Sequence, residues 1–343
     1  MEKKRVLWID LLNICACICV LLLHTNFQYL QYDGSVSLPW LYGCIIFTVA
    51  YWAVPVFIML STCNLLNYQG GVRPFYVRRL ERIGIPFLFW SIVYAVLYYV
   101  RKGAFTWQEG IDMFVHGTFC RYMWFFTPLF GLYLSMPFLK VFVQNASKKL
   151  VWLFIAFGFV FDSVLPFLFD VCDVNFLLID NDYKEPAFFA MASNFVYIGV
   201  LGYMLTHVDI PRKYRMCIYS VGALTAIIHF CLLVFGTIST GKVVRIELNY
   251  FYPSSVLIPM AVIVFFRYTN WDKLFGTEKS RQIIAKLAGC SLGVYLLQYL
   301  LQIIIGYFDV PLNNCLTGFA LLYVLGVVIT LIVKKIPVIN KLV

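Results

Sequence analysis

Charged side chains are scarce in this chain. Asp, Glu, Lys and Arg supply 13% of its 343 residues, about half the share found in an ordinary soluble domain. Too few charges are present to clothe a water-soluble fold of this length, and the soluble classes are excluded. Metal-binding spacing is missing as well. The eleven cysteines include no Cys-x-x-Cys pair, are scattered through apolar runs such as CACIC, and read as small buried hydrophobes. Cys120, Cys172 and Cys315 fall in loops or at helix ends, which leaves a pairing among them open. No repeat, low-complexity tract, inverted symmetry or soluble segment stands out, so one membrane domain is expected to fill residues 1–343. The formal charge of +10 sits in short clusters rather than in a continuous basic stripe, which argues against a nucleic-acid partner.

Apolar residues dominate instead, at 62% of the chain with a mean hydropathy of +0.82. Runs of about 20 residues, long enough to cross a hydrocarbon core, occur near 6–28, 40–66, 83–100, 123–143, 150–169, 187–206, 216–236, 250–268, 283–308 and 316–333. An all-α protein of about ten membrane helices is the expectation. The first run follows KKR like a secretory signal, but it is membrane-length, contains Asp10 and His24, and has no small-residue cleavage site. It is expected to stay as a helix. With the N-terminus in the cytoplasm, twenty-one of the 27 Lys and Arg fall on the cytoplasmic side and six outside. That asymmetry predicts both termini in the cytoplasm. The outer segment from Asp170 to Glu185 is acidic and long enough to be either a functional loop or a solvated connector.

Polar residues inside such runs are costly and need a reason. His24 lies roughly 27 Å along the first helix from Val6, near its outer end, and Asp10 near its inner end. Asn13 precedes His24 by eleven residues, close to three helical turns, while Cys17 and Asp10 sit at heptad steps from it. Asp10, Asn13, Cys17 and His24 therefore form one stripe. A stripe of this kind lines a cavity or makes hydrogen bonds to a packed helix. Asp10 is about 21 Å from His24 along the helix, so a second helix has to orient the imidazole. Tyr122 and Gln298 are the candidates.

Before the third run comes FYVRRLERIGIP, residues 75–86. Arg78, Arg79 and Arg82 lie within about one turn, with Arg79 and Arg82 expected on one face. Guanidinium forks match phosphate oxygens, although a positively charged membrane anchor would also place arginines here. Ser61, Asn64, Asp162, His229, Gln298 and Gln302 are further polar residues in spans, and Trp124 opens the fourth.

These pieces, in this order, resemble the membrane-bound acyltransferase family 3. RVLWIDLLNICACICVLLLHTN is similar to that family's first helix, AVPVFIMLSTCNLL to its VPLFFFISGFLL segment, and FYVRRLERIGIPFLFW to its Arg-rich entry to the third helix. YMWFFTPLFGLYLSMP resembles the HLWFL…YL..P stretch, and SLGVYLLQ the S.GIYL.H stretch. Within the family the chain looks like O-acetyltransferases of the enterobacterial common antigen type. The resemblance implies an acyl-CoA donor, with acetyl-CoA the expected one, and a cell-surface or lipid-linked glycan acceptor at a bacterial cytoplasmic membrane. It also implies a catalytic His24, donor-binding Arg78, Arg79 and Arg82, supporting Asp10, Asn13, Ser61, Tyr122, Trp124 and Gln298, and no metal. Three positions depart from the pattern. Asn13 stands where the family usually has Arg, and Tyr122 and Gln298 stand where it commonly has His. Asn and Gln hydrogen-bond but carry no charge and exchange no proton. A polytopic transporter or exporter, and a non-catalytic partner of a glycan-assembly complex, are the alternatives from other classes.

The charge asymmetry makes a direct prediction. With native cysteines removed, a cysteine at position 73 is expected to react with a membrane-impermeant thiol reagent only after the membrane is opened, and one at position 33 in intact spheroplasts. Labelling of both from one side would remove the crossing pair formed by the first two runs.

Overall fold

The computed structural model describes residues 5–115, 119, 120, 122–171, 187–244, 250, 252–308 and 315–343, the side chains at 115, 170 and 187–194 excepted. The acidic segment beyond Val171, with Cys172, lies outside the described residues. Among those described, every regular element is a helix. Backbone N–H and C=O groups in lipid have no water to bond, and a helix pairs them internally.

The chain opens with α1 (Leu7–Thr25), α2 (Leu38–Ala50) and α3 (Ala53–Leu66). Then come α4 (Val72–Arg79), α5 (Ile85–Lys102), α6 (Trp107–Val115), α7 (Phe126–Asn145), α8 (Lys148–Phe159) and α9 (Leu165–Val171). The second half contains α10 (Ala187–His207), α11 (Arg212–Thr240), α12 (Ser254–Tyr268) and the short α13 (Asp272–Phe275). It ends with α14 (Glu278–Gly289), α15 (Ser291–Tyr307) and α16 (Cys315–Val333).

Seven described stretches are long and apolar enough to cross a membrane: Leu7–Leu30, Leu38–Leu66, Val72–Lys102, Met123–Asn145, Lys148–Phe169, Arg212–Thr240 and Cys315–Val333. Helices α14 and α15, bent by 50°, make an eighth when read as one broken span. Of the two remaining expected spans, one falls on α10 (Ala187–His207), 21 residues long, of which Phe195–His207 has described side chains, and the other on Ser254–Tyr268, an apolar helix of 15 residues. An apolar run is summed over residues whether or not they are helical, and in the second case the helix begins only after Pro253. By length and composition, seven or eight candidate spans stand among the described residues, where about ten are expected.

The helices pack as two compact units, Met1–Leu60 with Met204–Ile332, and Ser61–Tyr203 with Val333–Val343. In the first unit α1 packs against α2, α12, α14 and α15, while α11 runs along α12 and touches α2. Helices α15 and α16 meet through Gly293, where a Cβ would lie 2.4 Å from Thr330 Oγ1. Small residues at such crossings let helix backbones approach closely, the main source of association when lipid removes the hydrophobic drive.

In the second unit α4 packs on α7, where the Tyr76 hydroxyl donates to Leu134 O at 2.9 Å. Trp90 Nε1 on α5 donates to Leu342 O near the C-terminus at 2.9 Å. Two membrane helices of this unit contain a π turn, Leu80–Gly84 between α4 and α5 and Val160–Val164 between α8 and α9. Each is followed after one residue by a proline, Pro86 or Pro166. A proline has no N–H for the carbonyl one turn back. The ladder widens just before it, with Ile85 N–H reaching Leu80 O and Leu165 N–H reaching Val160 O.

Replacing Gly293 with Leu is expected to separate α15 from α16 and to cost about 1–3 kcal/mol. The measurement is thermal unfolding in detergent, and an unchanged midpoint would rule out so close a crossing.

Candidate active site

His24 occupies the last turn of α1 and is half-buried. Its Nδ1 lies 2.8 Å from Oε1 of Gln298 on α15. An amide oxygen has lone pairs and no proton, so in this arrangement Nδ1 carries the hydrogen and the imidazole lone pair sits on Nε2. Gln298 is fully buried, and its own Nε2 has no hydrogen-bond partner among the described residues. Seven residues earlier on both helices, Cys17 Sγ lies 3.9 Å from Ser291 O. The matched step means that α1 and α15 run in the same direction and in register over two turns.

The polar stripe of α1 thus meets a helix at two of its four positions. At Cys17 and His24 it is a packed interface with α15, the second of the two readings open to it. Asp10 is buried and takes both ends of the Arg5 guanidinium, Nη2 to Oδ1 at 2.8 Å and Nε to Oδ2 at 3.0 Å. Asn13 lies half-buried between them on the same face.

The residues following His24 hold that end of the helix. Thr25 Oγ1 donates to Leu21 O at 2.9 Å and lies 3.3 Å from Cys315 O at the start of α16. Asn26 Nδ2 donates to Gly43 O on α2 at 2.7 Å. A Cβ on Gly43 would meet Tyr29 N at 2.5 Å, so only glycine permits this approach. Contacts to α2, α15 and α16 therefore fix the imidazole end of α1. Sequence reasoning missed Thr25, Asn26 and Arg5, although all three stand in the quoted first-helix segment. A polar pair ending an apolar helix was the available signal.

The arginine cluster belongs to the second unit. Arg78 is exposed and lies over the Tyr68 ring, 5.6 Å from its centroid. Arg79 is half-buried and hydrogen-bonded to the buried Tyr133 hydroxyl, which also bonds Ser61. The Arg79 Nε has no partner among the described residues. Arg82 is exposed, with its charge felt at both Arg79 and Tyr133. A π turn starting at Leu80 lies between Arg79 and Arg82, and both charges act on Tyr133. Tyr133 was not singled out in the sequence; its place one helical turn before Pro137 in the fourth run gave no chemical signal. Tyr122, buried, and Trp124, half-buried, sit at the 3-10 turn Met123–Phe125 that leads into α7.

His229 Nδ1 lies 3.1 Å from Ser254 Oγ, and its ring is tilted by 36° against Tyr51, with 4.7 Å between centroids. Asp162 is half-buried in the second π turn, beside the Ser163 hydroxyl that bonds Tyr197 at 2.6 Å. Cys120 and Cys315 form no disulfide among the described residues.

Residues 6–334 match the family model described as an acyltransferase domain. Neither the curated proteins nor the solved structures give a match.

Gln298→Leu tests whether the buried amide is kept for stability. Its unpaired N–H2 group already carries a desolvation cost, so the variant is expected to unfold in detergent within about 1 kcal/mol of the parent or above it. A loss of several kcal/mol would make Gln298 a structural residue.

Proposed function

From the premise that the chain belongs to this acyltransferase family, and is a membrane protein of several helices, we propose that it transfers an acyl group from acyl-CoA to a glycan hydroxyl, with His24 as the catalytic base. The observation that carries this reading is the His24–Gln298 hydrogen bond. A base needs its lone pair on one defined nitrogen, and an acceptor fixed on the other supplies that definition.

In the direct route, Nε2 takes the proton of the acceptor hydroxyl as its oxygen attacks the thioester carbonyl. The C–S bond then breaks, and the thiolate leaves as free CoA once protonated. In the two-step route, Nε2 attacks the thioester carbonyl, CoA leaves as its thiolate, and the acceptor oxygen displaces imidazole from the acyl-histidine while its proton passes on to the thiolate. Both routes place positive charge on the ring in the transition state. The Gln298 oxygen accepts from Nδ1–H and stabilises it.

Acetyl-CoA is the donor that the family resemblance favours. Arg78, Arg79 and Arg82 are the groups proposed to hold its phosphates from the cytoplasm, since guanidinium–phosphate bonds are charge-assisted and directional. Arg79 is the member best prepared for this, because Tyr133 and Ser61 fix its side chain while its Nε keeps a hydrogen to give. The acceptor is proposed to be a lipid-linked or surface glycan at the outer face of the bacterial cytoplasmic membrane.

His24→Ala is expected to lower acyl transfer by about 10²–10⁴-fold with unfolding temperature unchanged. Retention of more than about a tenth of the activity would remove His24 from the chemistry. Gln298→Leu is expected to lower kcat with the donor KM unaffected. Arg79→Gln with Arg82→Gln should instead raise the KM for acyl-CoA, and unchanged donor kinetics would return the cluster to a membrane anchor.

A further inference from the structure

The first unit contains a cavity of about 420 Å³ at the end of α1 opposite His24. It is lined by Arg5, just before α1, by Trp8 in its first turn, and by Arg267, Trp271, Asp272 and Arg281 from the stretch that ends α12 and runs into α14. Each guanidinium is held by a protein acceptor through part of its fork. Arg5 grips Asp10, and Arg281 pairs with Asp272. Arg267 Nη1 donates to Leu205 O at 2.5 Å and Val208 O at 2.6 Å. An arginine has five N–H donors, so all three keep hydrogens beyond these bonds while their positions are already set.

The charges are unequal. Two of the three guanidiniums face a carboxylate, whereas Arg267 is held by carbonyl oxygens and the face of Tyr268, 5.0 Å away. One positive charge is left without an anionic partner among the described residues. The matching ligand carries about one negative charge, and guanidinium groups select phosphate oxygens.

The surroundings name the kind of phosphate. The cavity opens where one apolar helix begins and another ends, the depth of membrane headgroups. Its two indoles are the side chains favoured at that depth. Trp271 is fixed there by its Nε1 bond to Phe266 O at 2.8 Å. Val6, Phe265 and Leu274 are apolar and exposed at 45%, 49% and 70%, in the segments that line the cavity or adjoin it. Such a border suits acyl chains and is unsuited to a freely soluble nucleotide, whose several charges would also exceed the single uncompensated one. We propose that this cavity binds the phosphodiester headgroup of an anionic phospholipid, independently of the acyl donor.

The test is calorimetric titration of the full chain in detergent with dihexanoyl phosphatidylglycerol. Saturable binding is expected, at least tenfold weaker in Arg281→Gln but unchanged in Lys279→Gln, an exposed residue of the same helix outside the cavity lining. The double variant Asp272→Asn, Arg281→Gln removes the ion pair as a unit and is expected to weaken binding equally, which separates ligand contact from lost folding. Equal losses in Arg281→Gln and Lys279→Gln would reduce the effect to general attraction and overturn the site. So would phosphatidylcholine binding as tightly, or no saturable binding at all. Tighter saturable binding of adenosine 3′,5′-bisphosphate would assign the cavity to a nucleotide and overturn the lipid reading. None of these outcomes depends on turnover, so they leave the role of His24 to its own test.

Discussion

A single hydrogen bond between an imidazole and a buried amide sets the orientation of His24 in the first unit. Gln298 Oε1 can only accept, and by accepting from Nδ1 it decides which nitrogen of His24 keeps a lone pair. The packing around it serves that bond. Helix α15 stays in register with α1 through Cys17 and Ser291, and α16 presses against α15 at Gly293. Thr25 and Asn26 tie the same end of α1 to α16 and α2. A half-turn slip of either helix would break the His24 contact together with the contacts that hold it.

Membrane surroundings explain why so many polar groups here come in pairs. A lone carboxylate or amide in hydrocarbon is costly, and Asp10 meets Arg5 while Asn26 meets a carbonyl of α2. The buried N–H2 of Gln298 and the Nε of Arg79 are two of several buried polar atoms without a hydrogen-bond partner among the described residues, with His229 Nε2 and Arg215 Nε among the others. The first two belong to the residues on which the acyl-transfer reading rests.

Proline placement shapes the second unit in a comparable way. The π turns before Pro86 and Pro166 widen two membrane helices, and the first of them falls inside the arginine cluster. One guanidinium is drawn toward Tyr133 and Ser61 while its neighbours stay exposed. Three equal charges become one held by Tyr133, one lying over the Tyr68 ring and one exposed.

By itself the sequence determined what depends on neighbours along the chain. The apolar runs dictated helices because an isolated backbone in lipid has no other way to pair its groups. The spacing of Asp10, Asn13, Cys17 and His24 placed them on one face because helical rotation is fixed per residue. The arginines and the prolines beside them were equally legible, although the π turns they produce were not read from them. Only the tertiary structure decided which helix that face meets. Gln298 lies 274 residues from His24, and nothing local selects it over Tyr122, since either side chain can hydrogen-bond an imidazole. The cavity bounded by Arg5, Arg267 and Arg281 was invisible for the same reason, with its charges drawn from two distant segments that each read as a topology signal. Long-range packing chooses among partners that local chemistry treats alike, and in this chain that choice fixes the tautomer of the proposed base.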